Sequence, residues 1–332
     1  MVSIVIPSHD NLASVKVLLA SIYKYFRLGA VNREIILVDD ASRLCDMREL
    51  NKEYPEIKVL RLESNAGAAG ARNAGANLAS HDIILFLDSD IELCCDAVAM
   101  VEKIMQDQEV DAVVGTFSEI SLRKGLFPEY WAMLKAYFHS LPVGSSSSFY
   151  PAIGAIRKRV FLDVGGFDSN IKGASVEDYE FSGRLFEKGY EVRFDPEIIV
   201  KMEYKFFLKS LSQSIDRAKK WSIMFLDKKK FDNHTTTLWQ GVANVLGFLT
   251  WVFLLLSLFK VYFLYIAAAI FLSFVYLSRK FFWYILKRRG PFFLLISIYF
   301  YLVSSFFITF SSLKGMSYIF RSREKRREAL YG

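Results

Sequence analysis

Apolar and polar residues alternate in short blocks along the first two hundred or so positions of the chain. Strand-length apolar runs lie at residues 2–6, 34–38, 57–62, 82–87 and 110–116. Helical patterns lie between them, at about 12–26, 46–54, 68–79 and 94–107. Runs that are apolar throughout are typical of strands buried on both faces of a parallel sheet. The alternation therefore predicts an α/β protein with a doubly wound, mostly parallel sheet.

The pattern changes near residue 237, beyond which apolar residues dominate. Three stretches contain no charged residue: 238–259, 261–277 and 292–313. Each approaches or exceeds the roughly 17–25 residues that a helix needs to cross a bilayer. We therefore predict a transmembrane region over 238–313 with about three helices, the first two forming a hairpin around Lys260. The alternative for the second stretch is a helix buried among its neighbours.

Residues 205–237, between the two regions, read as an amphipathic membrane-surface helix followed by a linker. Gln213, Arg217 and Trp221 are spaced to share one face of that helix. Ordinary packing of this helix on the first domain is the alternative. The predicted domains are thus 1–204, 205–237, 238–313 and a basic tail at 314–332.

The basic residues bear on membrane topology. Lys228-Lys229-Lys230 precedes the first predicted span, which favours a cytosolic position for the preceding domain. The first predicted strand, at residues 2–6, is not preceded by the basic segment and cleavage site of a signal peptide. We therefore expect that domain to stay in the cytosol. Three spans would nevertheless put one basic cluster on the non-cytosolic side of the membrane. That cluster would be either residues 279–289 or the tail.

Charge and cysteine content exclude some classes of protein. The 332-residue chain carries a formal net charge of +7, but its basic residues crowd the membrane-flanking segments. Anionic lipid is therefore a more suitable partner than nucleic acid. Cys45, Cys94 and Cys95 lack metal-ligand spacing and fit reduced thiols of the cytosol.

Two carboxylates follow the fourth apolar run, in Asp88-Ser89-Asp90. They would lie at the carboxyl end of a buried strand, where open α/β sheets bind ligands. Adjacent carboxylates repel each other unless a cation neutralises them, and oxygen ligands at such a site suit Mg²⁺ or Mn²⁺. The alternative is a polar turn that ends the strand.

Other strand ends carry further candidate residues. The first strand ends in Pro7 and Ser8, and the second ends in Asp39, whose carboxylate can accept hydrogen bonds from a base or a ribose. The segment from Asn65 through Gly67 to Arg72 opens a helix with small residues, so backbone can approach a ligand closely. Arg72 is a natural phosphate partner.

Later in the chain, Gly166-Phe167-Asp168 precedes an acidic helix start at Glu177 and Asp178. Carboxylates at a helix start often serve only as caps. Three acids within 177–180, after a loop containing Gly173, also fit a general base for catalysis.

Together these motifs resemble the family 2 glycosyltransferases, which have the GT-A nucleotide-diphospho-sugar transferase fold. The matching segments follow the family's order over residues 2 to about 200. They are Ile-Val-Ile-Pro, Val-Asp-Asp-Ala-Ser, Asn-Ala-Gly-Ala-Ala-Gly-Ala-Arg-Asn, Asp-Ser-Asp, Gly-Gly-Phe-Asp and Glu-Asp.

The resemblance implies a role for each candidate residue. Asp90 would coordinate the metal, and Asp178 would be the base that deprotonates an acceptor hydroxyl, with inversion at the anomeric carbon. Glu177 would position the acceptor, together with Gly166, Phe167 and Asp168. The nucleotide-sugar site would comprise Pro7, Ser8, Asp39, Asn65, Gly67, Arg72 and Asp88.

Two departures from related patterns narrow the expected reaction. Polyprenyl-phosphate glycosyltransferases usually carry Asp-Ala-Asp-Leu-Gln-His/Asp-Pro, whereas this chain has Asp-Ser-Asp-Ile-Glu-Leu-Cys. Processive synthases carry Gln-x-x-Arg-Trp, which the spacing of Gln213, Arg217 and Trp221 does not match. Both departures favour transfer of one sugar to a hydroxyl.

We therefore predict a metal-dependent, inverting glycosyltransferase with Mn²⁺ or Mg²⁺ as cofactor. It would use a nucleotide-diphosphate sugar donor and a lipid or lipid-linked glycan acceptor in cell-envelope glycan or glycolipid synthesis. The expected location is the bacterial inner (plasma) membrane, with the catalytic domain in the cytosol. The alternatives are a polyprenyl-phosphate glycosyltransferase, a short processive synthase and a non-catalytic pseudo-transferase that scaffolds a membrane complex.

Overall fold

The computed structural model describes residues 1–25, 33–139, 144–146, 148–171, 176–228, 238–320 and 329. The chain forms two compact units. The first comprises residues 1–122 and 139–203, and the second comprises 123–138 and 204–332. Gly173, residues 229–237 of the predicted linker and most of the predicted basic tail lie outside the described residues.

The first unit is built on a mixed sheet whose long strands are buried. The strands are β1 Val2–Ser8, β2 Arg33–Asp39, β3 Lys58–Arg61, β4 Ile83–Leu87, β5 Ile91–Leu93, β6 Ala112–Phe117, β7 Gly144–Ser146, β8 Ile153–Arg157 and β9 Val192–Met202. Their order is β3-β2-β1-β4-β8-β6-β9-β5, with β7 beside β9. The four strands β3, β2, β1 and β4 are mutually parallel, whereas β8 runs antiparallel to both of its neighbours.

Helices connect and cover these strands. The described helices of the first unit are α1 Leu12–Tyr25, a 3₁₀ helix Met47–Lys52, α2 Gly67–Leu78, α3 Ala97–Ile104, α5 Lys158–Val164 and α6 Glu177–Glu187. All seven residues of β1 and all five of β4 are buried, because each strand has a separate apolar cluster on either side. The predicted doubly wound, mostly parallel sheet is confirmed.

One glycine sets the distance between a helix and the parallel strands. A Cβ at Gly75 of α2 would lie 2.4 Å from Val5 Cγ1 and 3.0 Å from Val38 Cγ2. Only a residue without a side chain permits this approach. The close packing fixes α2 over β1 and β2 and therefore fixes the residues at its start.

The second unit consists of helices. They are α4 Leu126–His139, whose last residue belongs to the first unit, α7 Phe207–Lys228, α8 Leu238–Leu256, α9 Tyr262–Leu277 and α10 Arg279–Met316, followed by a 3₁₀ helix Ser317–Phe320. Gly290, with φ of 82°, breaks α10 into two arms immediately before Pro291. The sequence did not predict that residues 123–138 belong to this unit.

Two described helices are long and apolar enough to cross a membrane, judged by length and composition alone. They are Trp239–Leu256 and Arg279–Met316. The helix at 262–277, over the second predicted span, has 16 residues. The number of spans, the surface position of α7 and the predicted domain boundaries stay predictions.

Candidate active site

The candidate site lies at the edge of the sheet where β1, β2 and β4 end. Ser8 at the end of β1 pairs in register with Asp39 at the end of β2. Asp88 follows β4, which is parallel to β1 on its other side, and its N–H donates to Ala152 O at 3.3 Å. The parallel strands therefore bring polar ends that are distant in sequence to one edge.

Arg72 connects this edge to the start of α6. Its side chain is buried, and its Nη2 lies 2.6 Å from Asp88 Oδ1 while Nη1 lies 3.3 Å from Glu177 Oε1. The guanidinium also lies 5.6 Å from the centre of the Phe167 ring. Burial alone would lower the pKa of Arg72, but the charges of Asp88 and Glu177 raise it, so the side chain stays cationic.

The two ion pairs of Arg72 connect Asp88, which was predicted to bind the nucleotide sugar, with Glu177, which was predicted to position the acceptor. Asp88 is half-buried and Glu177 is buried, and they are far apart in sequence. Arg72 is thus held by two carboxylates of the protein in this structure, and its predicted contact with phosphate stays a prediction. The removal of either carboxylate would leave a buried, partly unpaired cation, which is costly.

The end of β2 is held by a second ion pair. Asp39 is fully buried; its Oδ2 lies 2.7 Å from Arg61 Nη1, and its Oδ1 accepts from the Ser42 N–H at 2.9 Å. Arg61 also donates to Ser42 O at 2.7 Å. A carboxylate has about four acceptor positions, so these bonds do not exhaust Asp39.

Asp40 ties the end of β2 to the segment before α2. Its Oδ1 accepts from the Ala66 N–H at 2.6 Å, and its carbonyl oxygen accepts from Asn65 Nδ2 at 3.3 Å. Burial raises the pKa of Asp40, although hydrogen bonds from the Ala66 and Gly67 backbone oppose that change. Gly67 has φ of 72°, a left-handed conformation that suits glycine, so α2 begins with its backbone turned sharply at this edge.

The loop at residues 165–168 is fixed by side chains from two helices. Asn73 of α2 donates to Phe167 O at 2.7 Å and accepts from the Phe167 N–H at 2.9 Å. Arg184 of α6 donates to Gly166 O at 2.7 Å. Gly166 has φ of 67°, and a Cβ there would lie 2.8 Å from Asn73 Oδ1. Three side-chain hydrogen bonds therefore hold the predicted acceptor loop to α2 and α6.

The neighbouring carboxylates at the start of α6 differ in their burial. Glu177 is buried against Arg72, whereas the adjacent Asp178 is half-buried and accepts from the Tyr179 N–H at 2.9 Å. Asp168 accepts from the Asn170 N–H at 3.0 Å and from Asn170 Nδ2 at 2.8 Å, which forms a local turn. The ion pair with Arg72 thus anchors Glu177, and Asp178 is the next residue of the same helix.

The predicted metal ligand also lies at this edge. Asp90 follows β4 within the turn to β5, is half-buried, and its carbonyl oxygen accepts from the Glu203 N–H at 2.8 Å. No group of three or more His, Cys, Asp or Glu side chains suited to a metal occurs in the described part of the chain. Mg²⁺ usually takes one or two protein carboxylates and completes its coordination with phosphates and water, so Asp90 fits such an ion.

Three predicted residues lie in the second unit instead. Gln213, Arg217 and Trp221 are on α7, and Trp221 stacks on Phe225 with ring centres 5.5 Å apart. Their predicted interfacial role stays a prediction.

Sequence reasoning missed three supporting residues: Arg61, Asn73 and Arg184. Arg61 ends β3 beside β2, and a basic residue next to a buried aspartate in a parallel sheet is a usable signal. Asn73 lies one residue after Arg72 in the recognised segment, but its partner is 94 positions away. Only the tertiary structure identifies contacts of that kind.

The fold and the site define a class of protein. A mostly parallel sheet with acidic strand ends and a basic side chain at one edge is the GT-A arrangement of nucleotide-sugar transferases. Residues 3–165 match the family described as Glycosyl transferase family 2, and the chain carries a domain of that family.

Curated relatives agree with this assignment. The chain is 29% identical over 198 residues to an uncharacterized glycosyltransferase of Haemophilus influenzae, covering 57% of this chain and 63% of that protein. It is 30% identical over 212 residues to the probable glycosyltransferase YdaM of Bacillus subtilis, covering 60% of this chain and 49% of that protein. The chain thus spans less than two thirds of either relative.

A solved structure resembles nearly the whole chain. The mannosyltransferase PcManGT of Pyrobaculum calidifontis, in complex with GDP-Man and Mn²⁺, aligns with a TM-score of 0.56 at 16% identity. The alignment covers 95% of this chain and 86% of that one. At this identity the similarity establishes the fold.

Proposed function

We propose that the protein is a membrane-bound, metal-dependent, inverting glycosyltransferase. It transfers one sugar from a nucleotide-diphosphate sugar to a hydroxyl of a lipid or lipid-linked glycan at the cytosolic membrane face, in cell-envelope glycan or glycolipid synthesis. The observation that carries the proposal is the buried Arg72, whose guanidinium contacts both Asp88 and Glu177. It couples the carboxylate at the end of β4 to the acidic start of α6.

The donor side has features suited to a nucleoside diphosphate. Ser8 Oγ at the end of β1 is buried and has no hydrogen-bond partner among the described residues, so a ligand atom could satisfy it. Asp88 is oriented by Arg72, and Asp90 follows two positions later. A divalent ion bound by Asp90 would neutralise charge on the leaving diphosphate.

The acceptor side has a candidate base. Asp178 lies next to the anchored Glu177 and is half-buried, so it is positioned by the ion pair without being enclosed by it. A carboxylate in that position can take the proton of an attacking hydroxyl. A phosphate acceptor is already ionised and requires no such base, so Asp178 favours a hydroxyl acceptor.

The apolar helices support an acceptor at the membrane. Trp239–Leu256, and an 18-residue stretch within Arg279–Met316, have the length and hydropathy of spans. Attachment to a bilayer raises the encounter rate with a lipid-linked acceptor by confining both partners to one surface. PcManGT was solved with GDP-Man and Mn²⁺, which supports a nucleotide sugar and a divalent metal for this chain.

The first experiment measures nucleoside diphosphate release by the full chain in detergent, with Mn²⁺, lipid extract and a panel of nucleotide sugars. We expect release that EDTA abolishes and that Asp90→Ala lowers by at least about 100-fold. Asp163→Ala is the matched control, because Asp163 is an exposed carboxylate paired with Lys188. Release at the Asp90→Ala level for every donor would contradict the proposal.

A second experiment identifies the chemistry of the acceptor. Asp178→Asn keeps the shape of the side chain and removes the base, so transfer to a hydroxyl should fall by about 10²–10⁴-fold. Transfer that persists in Asp178→Asn would instead indicate a polyprenyl-phosphate acceptor.

Calorimetry that detects no metal-dependent nucleotide binding would favour the non-catalytic scaffold.

A further inference from the structure

Three residues form a row across the carboxyl ends of the first three parallel strands. Ser8 of β1 pairs in register with Asp39 of β2, and Asp39 pairs in register with Arg61 of β3. Residues in register on neighbouring strands project to the same face of a sheet. The residues two positions earlier on these strands pack in one apolar cluster: Ile6, Leu37 and Val59. The three side chains therefore follow one another along one face, at the edge where the candidate site lies.

The two charged members of this row differ in their exposure. The side chain of Asp39 has no exposed surface, and its oxygens accept from Arg61 Nη1 and from the Ser42 N–H. The side chain of Arg61 lies against Asp39 and is 39% exposed. Of this ion pair, the group that a ligand can reach in this structure is therefore the guanidinium and not the carboxylate.

The guanidinium of Arg61 is held by two hydrogen bonds from different nitrogens. Nη1 donates to Asp39 Oδ2 and Nη2 donates to Ser42 O, both at 2.7 Å. Two such bonds fix the plane of the group as well as its position. They use two of the five N–H donors of a guanidinium, which has no acceptor. A group fixed in this way discriminates between ligand atoms that accept a hydrogen bond and ligand atoms that donate one.

The other end of the row also indicates a ligand. Ser8 Oγ is buried and has no hydrogen-bond partner among the described residues. Buried hydroxyls normally have a partner, so a ligand atom or a water is expected there. Two strand spacings, about 10 Å in total, separate Ser8 from Arg61. A ligand that occupies the row therefore contacts a hydroxyl at one end and a guanidinium at the other.

Nucleobases differ in the exocyclic group that they would present to Arg61. Uracil and guanine carry a keto oxygen, which accepts hydrogen bonds, whereas cytosine and adenine carry an amino group at the corresponding position, which donates them. A guanidinium can bond to the keto oxygen but not to the amino group, because it has donors only. A hydrogen bond to a charged group changes affinity by about tenfold or more. The fixed guanidinium therefore suits a keto base.

We propose that Arg61, and not Asp39, recognises the nucleobase of the donor, and that it selects bases with a keto oxygen. The inference rests on the nucleotide-sugar donor of the proposed function and adds the residue that determines the class of base. It replaces the predicted contact between Asp39 and the base, since Asp39 becomes a positioning residue that orients the guanidinium. The competing explanation is that Arg61 only neutralises the buried carboxylate.

The experiment measures the binding of UDP, CDP, GDP and ADP to the full chain in detergent with Mn²⁺, by calorimetry. UDP and CDP form one matched pair, and GDP and ADP form the other. We expect the wild-type chain to bind the keto member of at least one pair about tenfold more tightly than the amino member. Arg61→Gln should bring that ratio to within about twofold, because an amide can either donate or accept. An unchanged ratio in Arg61→Gln would overturn the inference.

The wild-type result separates this inference from the proposed function. Equal binding of all four diphosphates would overturn the inference alone, because a donor site would be present without selection of the base. Binding of none of the four would contradict the proposed function, and the inference with it.

Arg48→Gln is the matched control, because it also removes one cation near this edge of the sheet. Arg48 is exposed and pairs with Asp46 at 2.8 Å. Hydrogen bonds from Arg48 lower the pKa of Asp46, and the charge of Arg61 contributes to the same change. Arg48→Gln should leave both ratios as in the wild type. The same loss of selectivity in Arg48→Gln as in Arg61→Gln would show a general effect of charge and would overturn the inference.

Two further variants keep the test decisive if Arg61→Gln does not fold, since it leaves the buried Asp39 without a cation. Arg61→Lys retains the cation but not the planar fork, so the keto preference should fall by about threefold or more. Asp39→Asn retains an oxygen that accepts from Arg61, so the preference should persist. Thermal unfolding identifies the variants that are folded. Loss of the preference in Asp39→Asn together with its retention in Arg61→Lys would show that Asp39 recognises the base and would overturn the inference.

Discussion

The two units satisfy their buried polar groups in different ways. In the first unit, buried charges are paired: Arg72 with Asp88 and Glu177, and Asp39 with Arg61. In the second, Ser297, Thr250 and Ser311 donate to backbone carbonyls of the same or a neighbouring helix. The first unit thus uses buried charge to hold distant strand ends together. In the second unit these hydroxyls bond to helix backbone, and the buried Lys220 pairs with Asp216 of the same helix.

The difference is the one that the proposed function predicts. A site for a charged ligand needs carboxylates and cations fixed in advance, and buried ion pairs fix them at the cost of desolvation. Helices that face lipid gain little from the hydrophobic effect among themselves, so small residues and hydroxyls at close contact hold them together. Gly247 against Ser305 and Gly315 against Lys219 O are close contacts of the kind that the proposed membrane attachment predicts.

The largest expected effect comes from removal of the shared cation. Arg72→Met keeps most of the volume but leaves Asp88 and Glu177 without their partner, so we expect a loss of about 3–5 kcal/mol of unfolding free energy. Transferase activity should fall to background. Arg159→Met is the control for denaturation and activity measurements, because Arg159 is exposed and pairs with the half-buried Asp111. Equal stability of the two variants would mean that buried charge does not organise the first unit.

Low pH should destabilise the first unit because it protonates Glu34, at the start of β2. Burial alone would raise the pKa of Glu34, but hydrogen bonds from Lys58, Ser3 and the Ser80 N–H lower it to about 2. Because the pKa is lower in the folded state, the stabilisation is complete above the unfolded value of 4.5 and is lost as pH falls towards 2.

The measurement is the free energy of unfolding from pH 7 to pH 2. We expect Glu34→Gln to cost roughly 2 kcal/mol at pH 7 and much less near pH 2. A cost that is independent of pH would show that packing, and not charge, accounts for the effect.

A third prediction concerns the acceptor loop. Gly166→Ala combines positive φ with a clash against Asn73 Oδ1, whereas Gly189→Ala has positive φ of 81° and no atom within 4 Å. We expect a loss of about 2 kcal/mol for Gly166→Ala and about 1 kcal/mol for Gly189→Ala in thermal unfolding. Only Gly166→Ala should raise the acceptor KM. Equal losses would argue against a rigid Asn73 contact.

The smallest effect is expected in the second unit. Gly315→Ala would press a methyl group against Lys219 O and should cost about 1 kcal/mol, together with partial separation of α7 from α10. Gly241→Ala on α8 meets nothing within 4 Å and should be neutral or stabilising by up to about 1 kcal/mol. The separation of α7 from α10 is measured by cross-linking between cysteines introduced at Ile215 and Ser311. Unchanged cross-linking and stability in Gly315→Ala would show that this close contact is dispensable.

Much of the first unit was predictable because its signals are local. The apolar runs at 2–6, 34–38 and 82–87 correspond to β1, β2 and β4, since a strand buried on both faces has to be apolar throughout. The family resemblance was also carried by short segments, and the fold and the family are both confirmed. The antiparallel strand β8, inserted between β4 and β6, was not predicted, because strand direction depends on the connections.

The sequence by itself determined which residues could carry chemistry and which segments are apolar, because both depend on residue type and short spacing. Only the tertiary structure decided that Arg72 joins Asp88 to Glu177 and that α10 folds back at Gly290. It also decided that residues 123–138 belong to the second unit. These are contacts between positions far apart in the chain, and their free energy arises only when packing brings both partners together.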